Sequence, residues 1–144
     1  MSVFKHVLVA TDLTEASAPA VELAISIARH LGAALTVVHA CEVPLLPEGL
    51  PPVDYVTPLT TAAGARLDAL LDGLRPRCPD VRRALRIGPP WEEILAAAVE
   101  AGADLVVVGT HGRRGLAHAM LGSVAERVVR LSPVPVLTVR SPGR

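Results

Sequence analysis

Short apolar runs alternate along this chain with longer segments whose apolar residues recur every three or four positions. Continuous apolar runs of this length are typical of strands buried on both faces, and the second spacing is typical of amphipathic helices. The runs predict strands at Val3–Ala10, Ala34–Ala40, Val81–Ile87, Asp104–Gly109 and Val134–Arg140. The third run alternates with arginines, which predicts a position at the edge of a sheet.

Four helices are predicted between these strands. Thr14 or Ser17 is expected to cap the first, and Gly32 to end it, because a hydroxyl suits a helix start and glycine a helix end. The others are predicted after Thr60 or Thr61, over Trp91–Ala101 behind two prolines, and over Gly122–Leu131.

The segment Glu42–Thr60 carries five prolines, which disfavour a regular element there. It is predicted to be a surface loop. Two alternatives stay open: a flap that is mobile without ligand, and a merely irregular connection.

Strands that alternate with helices predict parallel β-α-β units joined by right-handed crossovers. The fold class is therefore α/β, a doubly wound parallel sheet of five strands with helices on both faces. A length of 144 residues fits a single domain, 1–144. Hydrophobic residues make up 51% and aromatic residues only 2%, so the core is expected to consist of aliphatic side chains.

Charge and cysteine content narrow the function classes. Fourteen basic residues balance fourteen acidic ones, and there is no basic surface or aromatic platform of the kind that binds nucleic acid. No apolar run reaches the ~20 residues that cross a bilayer. The N-terminus runs directly into strand, and Cys41 and Cys78 lack metal-ligand spacing. These features predict a cytoplasmic protein with two reduced thiols and no membrane or nucleic-acid partner.

The candidate chemistry lies in a glycine-rich stretch, Gly109–Gly115, which follows the fourth apolar run; Gly122 and Ser123 then open a helical pattern. A strand that ends in glycines before a helix start leaves backbone N–H groups free, and such groups cradle phosphate. Glycine permits a positive φ and a close approach of the backbone to a ligand. The alternative is a flexible connection without a ligand. The spacing matches neither the P-loop nor the dinucleotide fingerprint.

The spacing G-x2-G-x9-G-[ST] is the nucleotide-binding signature of universal stress proteins of the ATP-binding type, and the chain resembles that family over nearly its whole length. Further points of resemblance are Ala10-Thr11-Asp12, Val37-Val38-His39-Ala40, Gly88-Pro89-Pro90 and Pro133-Val134-Pro135-Val136-Leu137. Leu13-Thr14 departs from the aromatic residue and serine that many members have there.

The resemblance implies the strand order 3-2-1-4-5 of an adenine nucleotide alpha hydrolase-like fold, with the first and fourth strands adjacent. It also implies a ligand, ATP or else ADP or AMP, with Mg²⁺ held mainly by phosphates and water. The implied nucleotide-binding residues are Ala10, Thr11, Asp12, Ala40, Gly109, Thr110, His111, Gly112, Arg113, Gly122, Ser123 and Val124.

Several of these residues have two interpretations. Asp12 either holds the ribose or complements the positive end of the following helix. Arg113 and Arg114 either reach a polyphosphate or are solvated charges; Arg113 is favoured. His111 is a candidate phosphate contact, whereas His39, inside a strand, is expected to be a core histidine. The main chain of Ala10 and Ala40 is implied to contact adenine.

Three functions follow as hypotheses. The leading one is an ATP-binding regulatory module of the stress response that acts as a homodimer, with at most weak ATP hydrolysis and no catalytic residue assigned. The alternatives are a slow ATPase or adenylyl-transfer enzyme, and a structural dimer that binds no nucleotide. The dimer is predicted through Val134–Arg140, an apolar strand that the implied fold leaves at a sheet edge.

Overall fold

The computed structural model describes residues 3–110 and 121–141. Its strands are β1 (His6–Ala10), β2 (Ala34–Cys41), β3 (Arg82–Ile87), β4 (Leu105–Gly109) and β5 (Val136–Val139). Its helices are α1 (Ala18–Leu31), α2 (Val56–Leu74), α3 (Pro90–Ala101) and α4 (Ser123–Leu131), and a 3-10 turn, Glu15–Ser17, precedes α1. The first and last strands are shorter than the apolar runs that predicted them.

The five strands form one parallel sheet in the order β3-β2-β1-β4-β5. In the register of the central pair, Val7, Leu8 and Val9 of β1 lie opposite Leu105, Val106 and Val107 of β4. The predicted doubly wound α/β fold and its strand order are confirmed. The order reverses between β1 and β4, so the chain leaves these neighbouring strands in opposite directions.

Alternate residues of the central strands pack against different helices. Val7 and Val9 join the buried cluster under α1 and α2, whereas Leu8, between them, joins the cluster under α3 and α4. This alternation follows from the two-residue period of a strand, and it covers both faces of the sheet with helices. Among the described residues, no helix is both long and apolar enough to span a bilayer.

The two edges of the sheet differ in character. β3 carries arginines on exposed positions, as the sequence predicted for an edge strand. β5 is shorter, and all four of its residues are only partly buried although three of them are valine or leucine. An edge strand with charged residues resists pairing with another chain, and an apolar edge strand favours it.

Helix α2 begins at Val56, one turn before the predicted start at Thr60 or Thr61. The Asp54 carboxylate accepts hydrogen bonds from the N–H groups of Val56 and Thr57, both at 3.0 Å. Pro58 is tolerated because it falls in the first turn, where its missing N–H would have had no helical acceptor. The prediction of a loop over Glu42–Thr60 is therefore wrong for its last five residues.

Of the two residues predicted to cap the first helix, only Thr14 makes a capping hydrogen bond, and it does so to the 3-10 turn before α1. The Thr14 hydroxyl accepts from the N–H of Ala16 and caps the 3-10 turn. Ser17 precedes α1 without capping it, because its hydroxyl is bonded elsewhere. Gly32 ends α1 in a left-handed conformation, with φ of 62°, as expected of a C-terminal glycine.

Candidate functional site

The carboxyl ends of β1 and β4 meet at the reversal of the strand order, and Thr11 and Thr110 follow these two strands directly. In open parallel sheets this is the place where the connecting loops diverge and leave a crevice for a ligand. Both threonines are buried. The predicted site residues on β1, β2, β4 and α4 all lie at this end of the sheet.

A hydrogen-bond network fixes the loop after β1. The N–H of Thr11 donates to the carbonyl oxygen of Val38 at 2.9 Å, which continues the pairing with β2. The Thr11 hydroxyl lies 2.9 Å from the Ser17 hydroxyl and accepts from the N–H of Leu13 at 3.0 Å. The side chains of Thr11 and Ser17 therefore hold the two ends of this loop together.

The carboxylate of Asp12 uses one of its two oxygens in this network. Its Oδ1 accepts from the Thr14 N–H at 2.8 Å and from the Thr14 hydroxyl at 2.6 Å. Its Oδ2 is buried and has no hydrogen-bond partner in the part of the chain that the structure describes. A buried charged oxygen without a donor is unfavourable, so this atom is suited to a hydroxyl or N–H from a ligand.

Leu13 adopts a left-handed conformation with φ of 64°. This region costs a residue with a Cβ roughly 1–2 kcal/mol. The Leu13 carbonyl accepts a hydrogen bond of 2.8 Å from the Arg66 guanidinium of α2. Together with the Thr11 bond to the Leu13 N–H, this contact stabilises the turn that aims Asp12.

The buried His39 ties β2 to the same loop. Its side chain is 6% exposed, and its Nδ1 lies 2.8 Å from the carbonyl oxygen of Thr11, to which it donates. The predicted core position of His39 agrees with this burial. Ala10 and Ala40, at the ends of β1 and β2, remain partly exposed beside it.

On the opposite side of the crevice, β4 and α4 are joined by a short contact. The Gly122 N–H donates to the Thr110 carbonyl at 2.6 Å, and the Thr110 N–H donates to Val139 of β5 at 2.9 Å. Helix α4 begins at Ser123, immediately after this contact. This bond thereby holds the start of α4 next to the end of β4, at the carboxyl end of the sheet.

The first turn of α4 is left without a side-chain cap. The N–H groups of Ser123 and Val124 cannot have intrahelical acceptors, and no described residue supplies one. These amides carry the positive end of the α4 dipole, which is a favourable environment for an anion.

The glycines here do not serve the conformational role that the sequence suggested. Gly122 has φ of −62° and ψ of 161°, which any residue adopts, and Gly109 is the last paired residue of β4. Neither glycine has a positive φ, since the described glycines with positive φ lie elsewhere. At Gly122 the useful property is the absence of a Cβ at the helix start.

A cavity of about 400 Å³ opens at this end of the sheet between α3 and α4. Its described lining residues come from the segment just after β2, the β3–α3 turn, the first turn of α3 and the first turns of α4: Glu42, Val43, Gly88, Pro89, Pro90, Trp91, Ser123, Val124 and Arg127. The uncapped amides of α4 therefore lie at the wall of a concave space. Volumes of this size hold small-molecule ligands.

The structure places nine of the twelve predicted site residues around the carboxyl ends of β1, β2 and β4 or at the start of α4. The other three, His111, Gly112 and Arg113, lie outside the described residues. Among the described residues, no three metal-ligating side chains cluster in a way that could hold an ion.

Trp91 and Arg127 are among the lining residues that sequence reasoning did not assign to the site. The Arg127 guanidinium carbon lies 5.8 Å from the centre of the Trp91 ring. One signal was present: Arg127 follows Ser123 by four positions, and that spacing places both residues on one face of a helix. Trp91 had no comparable signal, because its neighbour across the cavity lies on a different helix.

Comparisons with known proteins agree with the fold. A universal stress protein of Thermus aquaticus is 38% identical over 95% of this chain and 99% of its own. Universal stress protein YxiE of Bacillus subtilis is 33% identical over 95% and 99%. A solved universal stress protein in complex with cAMP is 29% identical, superposes with a TM-score of 0.73, and covers 96% of this chain and 98% of its own.

The model of the universal stress protein family matches residues 4–140, almost the entire chain. The relatives match over the same length, and the parallel sheet has the strand order that the resemblance implied. This chain belongs to the universal stress protein family.

Proposed function

We propose that this chain is a regulatory module that binds an adenine nucleotide, acting as one domain over residues 1–144 within a homodimer. The proposal depends on one observation: hydrogen-bonding groups without partners lie on both sides of the point where the strand order reverses. Within the described residues, Asp12 on one side offers a buried oxygen without a donor, and α4 on the other offers amides without acceptors. A ligand with hydroxyl groups and an anionic tail complements both.

The amides of Ser123 and Val124 would bind phosphate, together with the Ser123 hydroxyl. Free N–H groups at a helix start suit phosphate oxygens because they supply hydrogen bonds and a positive dipole end together. Gly112 of the family signature and the predicted contacts His111 and Arg113, all outside the described residues, would complete this part of the site. Mg²⁺ would enter with ATP, coordinated by phosphates and water.

Asp12 would hold the ribose. Its Oδ1 is fixed by Thr14, so its Oδ2 has a defined direction in which to accept from a sugar hydroxyl. The main chain at Ala10, Thr11 and Ala40 would then contact the base, because those residues end the strands on the same side. The solved relative that was obtained with cAMP supports an adenine nucleotide as the ligand class.

Dimerisation is proposed through β5 and its flanks, Val134–Arg140. This edge is apolar and half exposed, whereas the arginine-bearing β3 closes the other edge of the sheet. A second copy placed on β5 would satisfy its open backbone groups and cover its valines and Leu137. Sedimentation velocity at micromolar concentration is expected to give a dimer; a stable monomer there would contradict this part of the proposal.

The ligand is tested in two steps. Mass spectrometry of the small molecules released from denatured purified protein is expected to detect an adenine nucleotide. Titration calorimetry of ligand-free protein should then give measurable binding of ATP, ADP, AMP or cAMP and weaker binding of adenosine, which lacks the phosphates. ADP production during prolonged incubation with ATP and Mg²⁺ would favour the slow-ATPase alternative. A protein that binds none of these compounds would favour the structural dimer.

A further inference from the structure

We infer that Arg127 contacts the phosphate groups of the bound nucleotide, and that Trp91 positions the guanidinium for this contact. The inference rests on the proposed function and adds two residues that lie outside the glycine signature. Its observations are the shared helix face of Ser123 and Arg127, the stacking of Arg127 on Trp91, and the absence of a carboxylate partner for Arg127 in the described chain.

Arg127 lies one turn after Ser123 on α4, and both line the cavity. In an α-helix the Cα–Cβ bond tilts toward the N-terminus, so a long side chain covers the turn that precedes it. For Arg127 that preceding turn contains the uncapped amides of Ser123 and Val124. The guanidinium is therefore directed toward the same end of the helix where an anion would bind.

Trp91 holds the guanidinium at the cavity wall. The ring sits in the first turn of α3, packs against the buried cluster beneath α3 and α4, and lies 5.8 Å from the Arg127 guanidinium carbon. At this distance the electron-rich face of an indole ring attracts a cation. This attraction restricts the Arg127 side chain to fewer conformations than a solvated arginine would adopt.

The charge of Arg127 is available to a ligand. No described carboxylate lies within salt-bridge distance of it. By contrast, Arg130, three residues later on α4, pairs with Glu126 at 3.3 Å. The cavity also contains Glu42, which the chain supplies from the end of β2. An anion would accordingly bind on the α4 side, next to Arg127 and the free amides, and away from Glu42.

The test compares Arg127→Gln with the matched control Arg130→Gln, using calorimetry with ATP and with adenosine. Arg127→Gln is expected to weaken ATP binding about tenfold, since a charge-assisted hydrogen bond is lost, and to leave adenosine binding unchanged. It should also make the ATP affinity less sensitive to salt. Arg130→Gln should change neither ligand's affinity, and Arg127→Lys should recover part of the loss.

The single tryptophan supplies an independent readout. ATP is expected to change the fluorescence of Trp91 in the wild type, and to change it less in Arg127→Gln. If Arg127→Gln binds ATP as tightly as the wild type, the inference is overturned while the proposed function stands. If the wild type binds no adenine nucleotide at all, both are overturned. Circular dichroism verifies that the exposed substitution leaves the fold intact.

Discussion

The amino and carboxyl ends of β1 each meet an aspartate, and the two aspartates are treated differently. At the amino end both oxygens of Asp104 are bonded, to the N–H of Lys5 at 2.8 Å and to that of His6 at 3.0 Å. The His6 ring in turn bonds Thr36 at 2.7 Å. At the carboxyl end, Asp12 bonds Thr14 through one oxygen only.

The contrast assigns Asp104, at the amino end, to the stability of the fold, and Asp12, at the carboxyl end, to the proposed binding of a ligand. Burial opposes ionisation of Asp104, but the N–H groups of Lys5 and His6 outweigh it and lower the pKa of this carboxyl. Burial, with the charge of Arg82, lowers the pKa of His6. The amino end is thus complete in itself. The carboxyl end retains an oxygen and amides that have no hydrogen-bond partner among the described residues.

The largest expected effect is on the open end. Gly122→Val should abolish ATP binding, by a factor of at least about 100, because the added side chain occupies the approach to the α4 amides. Valine adopts the observed φ of −62° without strain, so the variant should fold and dimerise normally. Titration calorimetry measures the affinity, and sedimentation velocity verifies the assembly.

Gly73→Val is the matched control for that substitution. A Cβ at Gly73, an exposed position in α2, would meet no described atom within 4 Å. The control should therefore bind ATP like the wild type. Equal affinity of the wild type and Gly122→Val would place the phosphates away from α4.

The second-largest effect is expected on stability, at the amino end of β1. Asp104→Ala should lower the free energy of unfolding by about 2 kcal/mol, because two backbone N–H groups lose a charged acceptor. ATP affinity should not change. Urea denaturation at neutral pH measures the first quantity and calorimetry the second; a variant that loses binding while its stability is unchanged would reverse the comparison.

The same variant has a pH signature. The pKa of Asp104 in the folded state is below its ordinary value of 3.8, so the ionised carboxyl stabilises the folded state at pH values above 3.8. As pH falls below about 3.8 the unfolded chain takes the proton first, and the contribution is lost through the folded-state pKa. The acid-side decline in stability should be shallower in Asp104→Ala than in the wild type.

A smaller effect is expected from Asp12→Asn. Asparagine keeps the Oδ1 acceptor for Thr14 but replaces Oδ2 with an amide that cannot accept a hydrogen bond. Affinity should fall about tenfold for ATP and adenosine alike, since the lost contact is to the ribose. Stability should be unchanged or higher, because a buried charged oxygen has been removed. A loss confined to ATP would assign Asp12 to the phosphates instead.

Ser123→Ala should have the smallest effect, about 1 kcal/mol in the binding of ATP, because the hydroxyl is lost and the amide remains. In the same calorimetric series the loss should be absent for adenosine. A loss as large as that of Gly122→Val would show that the hydroxyl, and not the backbone, dominates phosphate binding.

Most of the fold could be predicted because the buried strands are nearly pure aliphatic runs. Val7-Leu8-Val9 and Val106-Val107-Val108 have no other place than between two helical layers. The start of α2 could not be predicted from Pro58, which alone argues against a helix. It depends on Asp54, whose capping bonds appear only once the backbone is placed.

The site divides in the same way. The glycine spacing and the position of Asp12 are features of short stretches of sequence, so the sequence alone could indicate both. The Trp91–Arg127 contact joins two helices, and the bond from His39 to Thr11 joins two strands; these depend on packing. Glycine in a loop mouth can permit either a positive φ or a close approach, and the sequence does not say which applies; the φ of Gly122 could not be predicted for that reason.

The 2.6 Å bond between Gly122 and Thr110 also bears on how the Gly122→Val variant is interpreted. Because its donor and its acceptor both belong to the main chain, a side-chain substitution at either position removes neither of them. Helix α4 should therefore keep its place beside β4 in that variant, and a loss of ATP binding there would report on the approach of the ligand and not on a displaced helix.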